Sequence, residues 1–170
     1  MKKVNYDAII LSTTYGESEK EIIQFLNHLC KNCAIVAEKY NVLPVLVFEQ
    51  SEIFKFRKIK KYFNEKELVV FPKLLLNQNS KGFSACLNYG IQRSNSNFII
   101  RLDTDDRLDK NRLYLQINQM YNNELDICSS YMKDNKGKTL KYPKNLSQIL
   151  FMTSIGCNPI AHPSVCIRRD

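Results

Sequence analysis

No apolar stretch in these 170 residues approaches the roughly 18 that a membrane-spanning helix needs. The opening MKKVNYD is basic, but the apolar residues 8–11 are too few for a signal-sequence core before Ser12, Thr13 and Thr14 intervene. A cytoplasmic protein is the expectation. Six cysteines are scattered over positions 30, 33, 86, 128, 157 and 166 with no export signal, which predicts reduced, mostly buried thiols rather than a disulfide framework. Cys30 and Cys33 look like half a zinc site, yet no second closely spaced ligand pair accompanies them. Their helical spacing reads instead as two core-facing thiols. Glycines number only five, and no glycine-rich basic loop lies near the first apolar run, so a nucleotidyltransferase consuming a nucleoside triphosphate lacks its phosphate loop. RNP-like aromatic strands, zinc-finger spacings and helix-turn-helix signatures are also missing. A pI near 9.2 with nine Tyr and nine Phe can build a stacking surface, but no motif stands behind it and nucleic acid is not the expected partner. Internal repeats and low-complexity segments are absent.

Hydrophobic residues make up 44% and charged residues 25% of the chain, a globular balance, and the length supports one sizeable core but not two. Apolar periodicity predicts a strand at residues 8–11. A helix follows over about 17–32, with Ile22, Phe25, Leu26, Leu29 and Cys33 on one face and acids in its first turn. Residues 42–48 read as a buried strand in which Pro44 argues for an early or edge position. Then come a basic amphipathic segment at 51–63, a strand at 68–71 resumed at 74–76 after Pro72, and a helix over 82–93. A buried strand at 98–102, a helix over about 110–121 and a strand at 126–131 complete the pattern. Such alternation implies an α/β fold with a mostly parallel sheet covered by helices on both faces.

Asp103-Thr104-Asp105-Asp106 follows directly on the run FIIRL, placing carboxylates at the end of a buried strand, where alternating strand-helix chains put ligand sites. In an extended segment, carboxylates at i and i+2 lie on one side, so Asp103 and Asp105 can converge on one hard divalent cation while Thr104 points away. An acidic turn that merely caps the next helix is the competing reading.

Upstream stands NSKGFSACLNYGI (79–91) and downstream NPIAHPSV (158–165). With the acidic turn and Arg112-Leu113, these motifs resemble the family-2 glycosyltransferases, which are nucleotide-sugar-dependent enzymes with a GT-A fold. The resemblance implies a Rossmann-like α/β domain spanning residues 1–170. It also implies transfer of a sugar from a nucleotide sugar, a UDP-sugar by preference, to a glycan or lipid-linked acceptor in cell-surface polysaccharide synthesis, with Mn2+ or Mg2+ offsetting the diphosphate charge. On this basis Asp105 is the first metal ligand. Asp103 is the second, either through water or as an acceptor for ribose hydroxyls. His162 joins the metal shell or pairs with the leaving phosphate. Asp106 can face acceptor or donor, or hydrogen-bond its own loop. Nucleotide contacts fall to Thr13, Thr14, Tyr15 and Glu49, with Lys81, Gly82, Asp103 and Thr104 near the phosphates and sugar. Gly82 permits close backbone approach to a ligand or tight helix packing, whereas Gly90 reads as a packing residue.

Two departures stand out. The family's Asp-Asp-x-Ser type turn after the second strand is Glu49-Gln50-Ser51 here, which leaves the base open. The Glu-Asp type motif that supplies a general base beyond His-Pro-Ser has no counterpart, since after Asp134 the one remaining acid is Asp170. The expectation is a donor-binding part of a longer transferase, lacking its C-terminal acceptor part. A catalytically inactive chain, or one in which Asp106 serves as base, are the alternatives. From residue 131 onward five lysines and two arginines face two acids. That surplus is either a solvated basic surface or one that attracts the membrane's anionic inner face or a lipid-linked pyrophosphate, at about 1 kcal/mol per cation.

Overall fold

The computed structural model describes residues 5–79 and 81–169. The basic start at residues 1–4, Ser80 and Asp170 lie outside the described residues. Chain order runs β1 (Tyr6–Thr13), α1 (Glu19–Val36), β2 (Val42–Glu49), α2 (Ile53–Asn64), β3 (Lys73–Asn77), α3 (Phe83–Gln92), β4 (Ser96–Arg101) and α4 (Arg112–Asn122). Beyond these lie β5 (Ile127–Ser129), β6 (Met132–Lys133), β7 (Thr139–Leu140), α5 (Leu146–Ser154) and β8 (Val165–Arg168), with a 3-10 turn at His162–Ser164 just before β8.

One six-stranded sheet has the order β3-β2-β1-β4-β8-β5, and β6 and β7 form a separate hairpin. Strands β3, β2, β1 and β4 are mutually parallel, while β8 runs antiparallel to both β4 and β5. Period-two alternation divides β1 between two cores. Ala8 and Ile10 face α1, α2 and α4 through Ile22, Leu26, Ile59, Leu113 and Ile117. Ile9 and Leu11 face α3 through Cys86, Leu87 and Ile91. Helices therefore cover both faces, as the alternation implied. Each fully buried Leu or Ile contributes about 1.5–3 kcal/mol.

Local signals explain where elements start and meet. Ser18 opens α1 with a capping box: its hydroxyl oxygen accepts the Glu21 N–H at 3.3 Å, and the Glu21 carboxylate accepts the Ser18 N–H at 2.8 Å. On α3, a Cβ added at Gly90 would lie 2.4 Å from Leu11 Cδ1 and 2.9 Å from Val47 Cγ2, so this glycine lets the helix sit directly on the sheet. Cys30 and Cys33 are buried on the inner face of α1, where burial pushes the Cys30 thiol up to about 12 and Cys33 higher still.

One expected strand is absent. Residues 68–71 form no strand, and Val69 is 83% exposed. The ladder to β2 begins only at Lys73, after Pro72, because that is where Val45 offers a partner. Pro44 lies in an internal strand rather than at an edge, but it precedes the β3 ladder, so its missing N–H falls early in the strand. Helix α5 was not anticipated. No helix among the described residues is long and apolar enough to cross a membrane.

Candidate functional site

Strand β1 connects forward to β2 on one side, while β4, reached from β3, lies on its other side, so the strand order switches between β1 and β4 and leaves a crevice at the carboxyl ends of these strands. The acidic segment occupies one lip of that crevice. Asp106 N–H donates to the Asp103 carbonyl at 3.1 Å, closing a turn. Strand alternation therefore does not govern where Asp103 and Asp105 point, which corrects the extended-segment reading. The Thr104 hydroxyl donates to the Glu17 carboxylate.

The three carboxylates differ in environment. Asp103 is half-buried and pairs with the guanidinium of Arg101. Asp105 is exposed. Asp106 is half-buried; burial pushes its carboxyl up, and the negative charges of Asp105 and Asp103 push it further, with Arg112 and Arg101 opposing. Asp105 and Asp106 line two cavities. One, of about 640 Å3, also has Arg112, Tyr131, Lys133 and Ser164 in its wall. The other, of about 540 Å3, is shared with Glu17, His28 and Thr104.

Beneath the turn, hydrogen bonds tie three elements together. Ser12 Oγ donates to the Leu102 carbonyl at 2.7 Å, joining the ends of β1 and β4. Arg112 Nη2 donates to the Arg101 carbonyl and Nε to Gln116 Oε1, both at 2.9 Å. Gln116 Nε2 donates in turn to the Ser164 carbonyl at 2.8 Å, which anchors the His-Pro-Ser segment to α4. Burial lowers the Arg112 guanidinium to about 10.

On the opposite lip, Thr14, Tyr15, Glu49, Glu52 and Phe54 line a cavity of about 520 Å3. Tyr15 is 86% exposed there. The Thr14 hydroxyl donates to the Glu52 carboxylate. Thr13 is buried, and its hydroxyl donates to the Val47 carbonyl at 3.1 Å, joining β1 to β2. Glu49 accepts the Gly82 N–H at 2.6 Å, so the end of β2 and the start of α3 meet. Gly82 has φ +96°, a conformation that favours glycine, and Lys81 beside it is exposed. His162 is exposed, with its ring 5.8 Å from that of Phe83.

The fold thus gathers Asp103, Thr104, Asp105 and Asp106 in one turn, Thr14, Tyr15 and Glu49 around one cavity, and Gly82 against Glu49. Among the described residues no three His, Cys, Asp or Glu side chains form a metal-ligand set, so His162 is not grouped with Asp103 and Asp105. The donors that the turn does offer are hard carboxylate oxygens whose mutual repulsion reaches Asp106, and these suit Mg2+ or Mn2+ with further oxygens supplied by phosphate and water. Sequence reasoning missed Glu17, Gln116 and Arg101. The third left a signal, a lone charge inside the apolar run FIIRL.

A mostly parallel α/β sheet with acidic groups at its topological switch point has the GT-A architecture. Residues 9–164 match glycosyl transferase family 2, and the chain belongs to that family. Its fold is shared with S. aureus TarS, at 19% identity and TM-score 0.67 over 95% of this chain and 47% of that one. The S. aureus TarS complex with UDP-GlcNAc matches at 20% identity and TM-score 0.67, over 95% and 45% of the two chains. The mannosyltransferase PcManGT from Pyrobaculum calidifontis, in complex with GDP-Man and Mn2+, matches at 11% identity and TM-score 0.62, over 98% and 45%. This chain therefore spans about half the length of these proteins. No curated protein matches the sequence.

Proposed function

We propose that this domain binds a nucleotide sugar, a UDP-sugar by preference, as the donor side of a glycosyltransferase acting on a glycan or lipid-linked acceptor in cell-surface polysaccharide synthesis. The single observation that carries the reading is the acidic turn at the switch point of a family-2 sheet. The two similar proteins with donors bound, UDP-GlcNAc in TarS and GDP-Man with Mn2+ in PcManGT, support a nucleotide sugar and a divalent cation.

In this reading the nucleoside lies in the cavity of Thr14, Tyr15 and Glu49, with the exposed Tyr15 ring as an apolar contact. The diphosphate reaches toward the acidic turn near Lys81 and Gly82. Asp105 would hold Mn2+ or Mg2+, with Asp103 reaching the cation through water or accepting a ribose hydroxyl, and His162 on the phosphate side. The bound cation supplies Lewis-acid stabilisation of the departing diphosphate. Asp106 takes the proton of the acceptor hydroxyl as that oxygen attacks the anomeric carbon and the bond to phosphate breaks. Its raised carboxyl pKa and its place on the wall of the 640 Å3 cavity favour that role. The basic residues from Lys133 onward favour the cytoplasmic face of a membrane as the place of work.

Calorimetric titration of UDP, GDP and UDP-sugars with and without Mn2+ tests the proposal. Binding that requires the metal is expected. Equal binding with and without it, or none of either nucleotide, contradicts the reading.

A further inference from the structure

We propose that Arg101 is a positioning residue, a built-in counter-ion that holds Asp103 out of the metal shell, so that Asp105 is the carboxylate on which cation binding depends. The inference rests on the donor-binding reading above and deepens it.

Arg101 is 4% exposed at the last position of β4. A buried guanidinium is costly unless its N–H groups are met, and here most are. Nη1 donates to the Leu11 carbonyl at 2.5 Å and to the Leu102 carbonyl at 3.0 Å, while Nη2 donates to an oxygen of Asp103. Nε is buried with no hydrogen-bond partner among the described residues. Phe83 lies with its ring 5.2 Å from the guanidinium carbon, and Arg112 holds the Arg101 carbonyl at 2.9 Å. The carbonyls of Leu11 in β1 and of Leu102 just past β4, with the Phe83 ring, thus hold this cation independently of Asp103.

The consequence falls on the acidic turn. Asp103 has one carboxylate oxygen committed to a rigid positive charge, and its side chain is 32% exposed. A carboxylate so paired offers a divalent cation a weaker field, and to bind it fully Asp103 would have to leave an anchored partner. Asp105 makes no salt bridge among the described residues and opens onto both adjoining cavities. The second oxygen of Asp103 stays available to accept a hydroxyl of the donor, which is the alternative role its place in the turn allows.

A counter-ion and a structural brace predict opposite signs. Removing a brace loosens the turn and weakens metal binding. Removing a counter-ion frees a carboxylate for the metal and tightens it, since ligand charge tunes affinity for hard cations. The Mn2+ half-saturation point is measured by the loss of free-ion electron paramagnetic resonance signal, in the presence of whichever of UDP or GDP the wild type binds. For Arg101→Met it falls about tenfold. Asp103→Asn keeps an acceptor for Arg101 and shifts the point by less than about threefold, and the double variant returns to within about threefold of wild type. Asp105→Asn loses saturable Mn2+ binding. An unchanged or raised half-saturation point in Arg101→Met overturns the inference. So does a loss in Asp103→Asn as large as that in Asp105→Asn, a result that stands even if Arg101→Met fails to fold. If Asp105→Asn itself binds Mn2+ like wild type, it is the donor-binding reading that fails.

Discussion

Residues 6–122 and residues 127–168 treat apolar side chains in opposite ways. The first region places them at helical and strand periods and buries them: α1 hides Ile22, Phe25, Leu26, Leu29 and Cys33, and the central strands are almost wholly enclosed. In the second region the buried side chains are Ala161, Ser164, Val165 and Cys166, all on or beside the strand that pairs with β4. Helix α5 is rich in apolar residues yet buries none of them, and Leu146, Leu150, Phe151 and Ile155 are all more than half exposed. Leu146, Ile149 and Leu150 stand at the i, i+3, i+4 spacing of one helical face, yet Leu146 and Leu150 stay exposed. Hydrophobic content and period alone therefore do not decide burial; packing against the sheet does. The crevice at the ends of β1, β2 and β4 rests on the region that carries its own core.

That contrast can be broken by substitution. Leu46→Ala, in the fully buried middle of β2, should cost roughly 2–5 kcal/mol by urea unfolding, because a cavity is added to the lost transfer energy. Gly90→Ala should cost about 1–3 kcal/mol, since the new methyl meets Leu11 and Val47 at less than contact distance; a neutral result would mean that α3 can move off the sheet. Ser18→Ala removes one half of the α1 capping box and should cost about 1 kcal/mol. Leu150→Ala on α5 should change unfolding by less than about 0.5 kcal/mol. A loss at Leu150 comparable to that at Leu46 would erase the distinction between the regions.

The first region was also the legible one. β1, α1, β2, α3, β4 and α4 follow from apolar periodicity, with boundaries shifted by a few residues. The run at 68–71 misled because a short apolar stretch fixes neither strand nor register, and pairing waited for Lys73 beyond Pro72. Insertion of antiparallel β8 between β4 and β5 depends on contacts between distant segments that no local pattern encodes. At the site, the acidic turn and the Gly82 and His162 segments were visible as motifs. Their partners were not: Glu49 meeting Gly82, Thr104 meeting Glu17 and Asp103 meeting Arg101 depend on side-chain reach across loops. The bond from the Thr13 hydroxyl to β2 was equally hidden; it forms because Thr13 is the last residue of a strand whose neighbour offers the Val47 carbonyl.

The central claim is that the carboxylate of Asp105, at the carboxyl edge of the parallel sheet, couples a divalent cation to a nucleoside diphosphate. Its most direct test is calorimetry of UDP binding to wild type and Asp105→Asn, each with and without Mn2+. The account predicts that Mn2+ strengthens binding to wild type at least about tenfold and has no such effect on the variant. Equal metal enhancement in both proteins would contradict it.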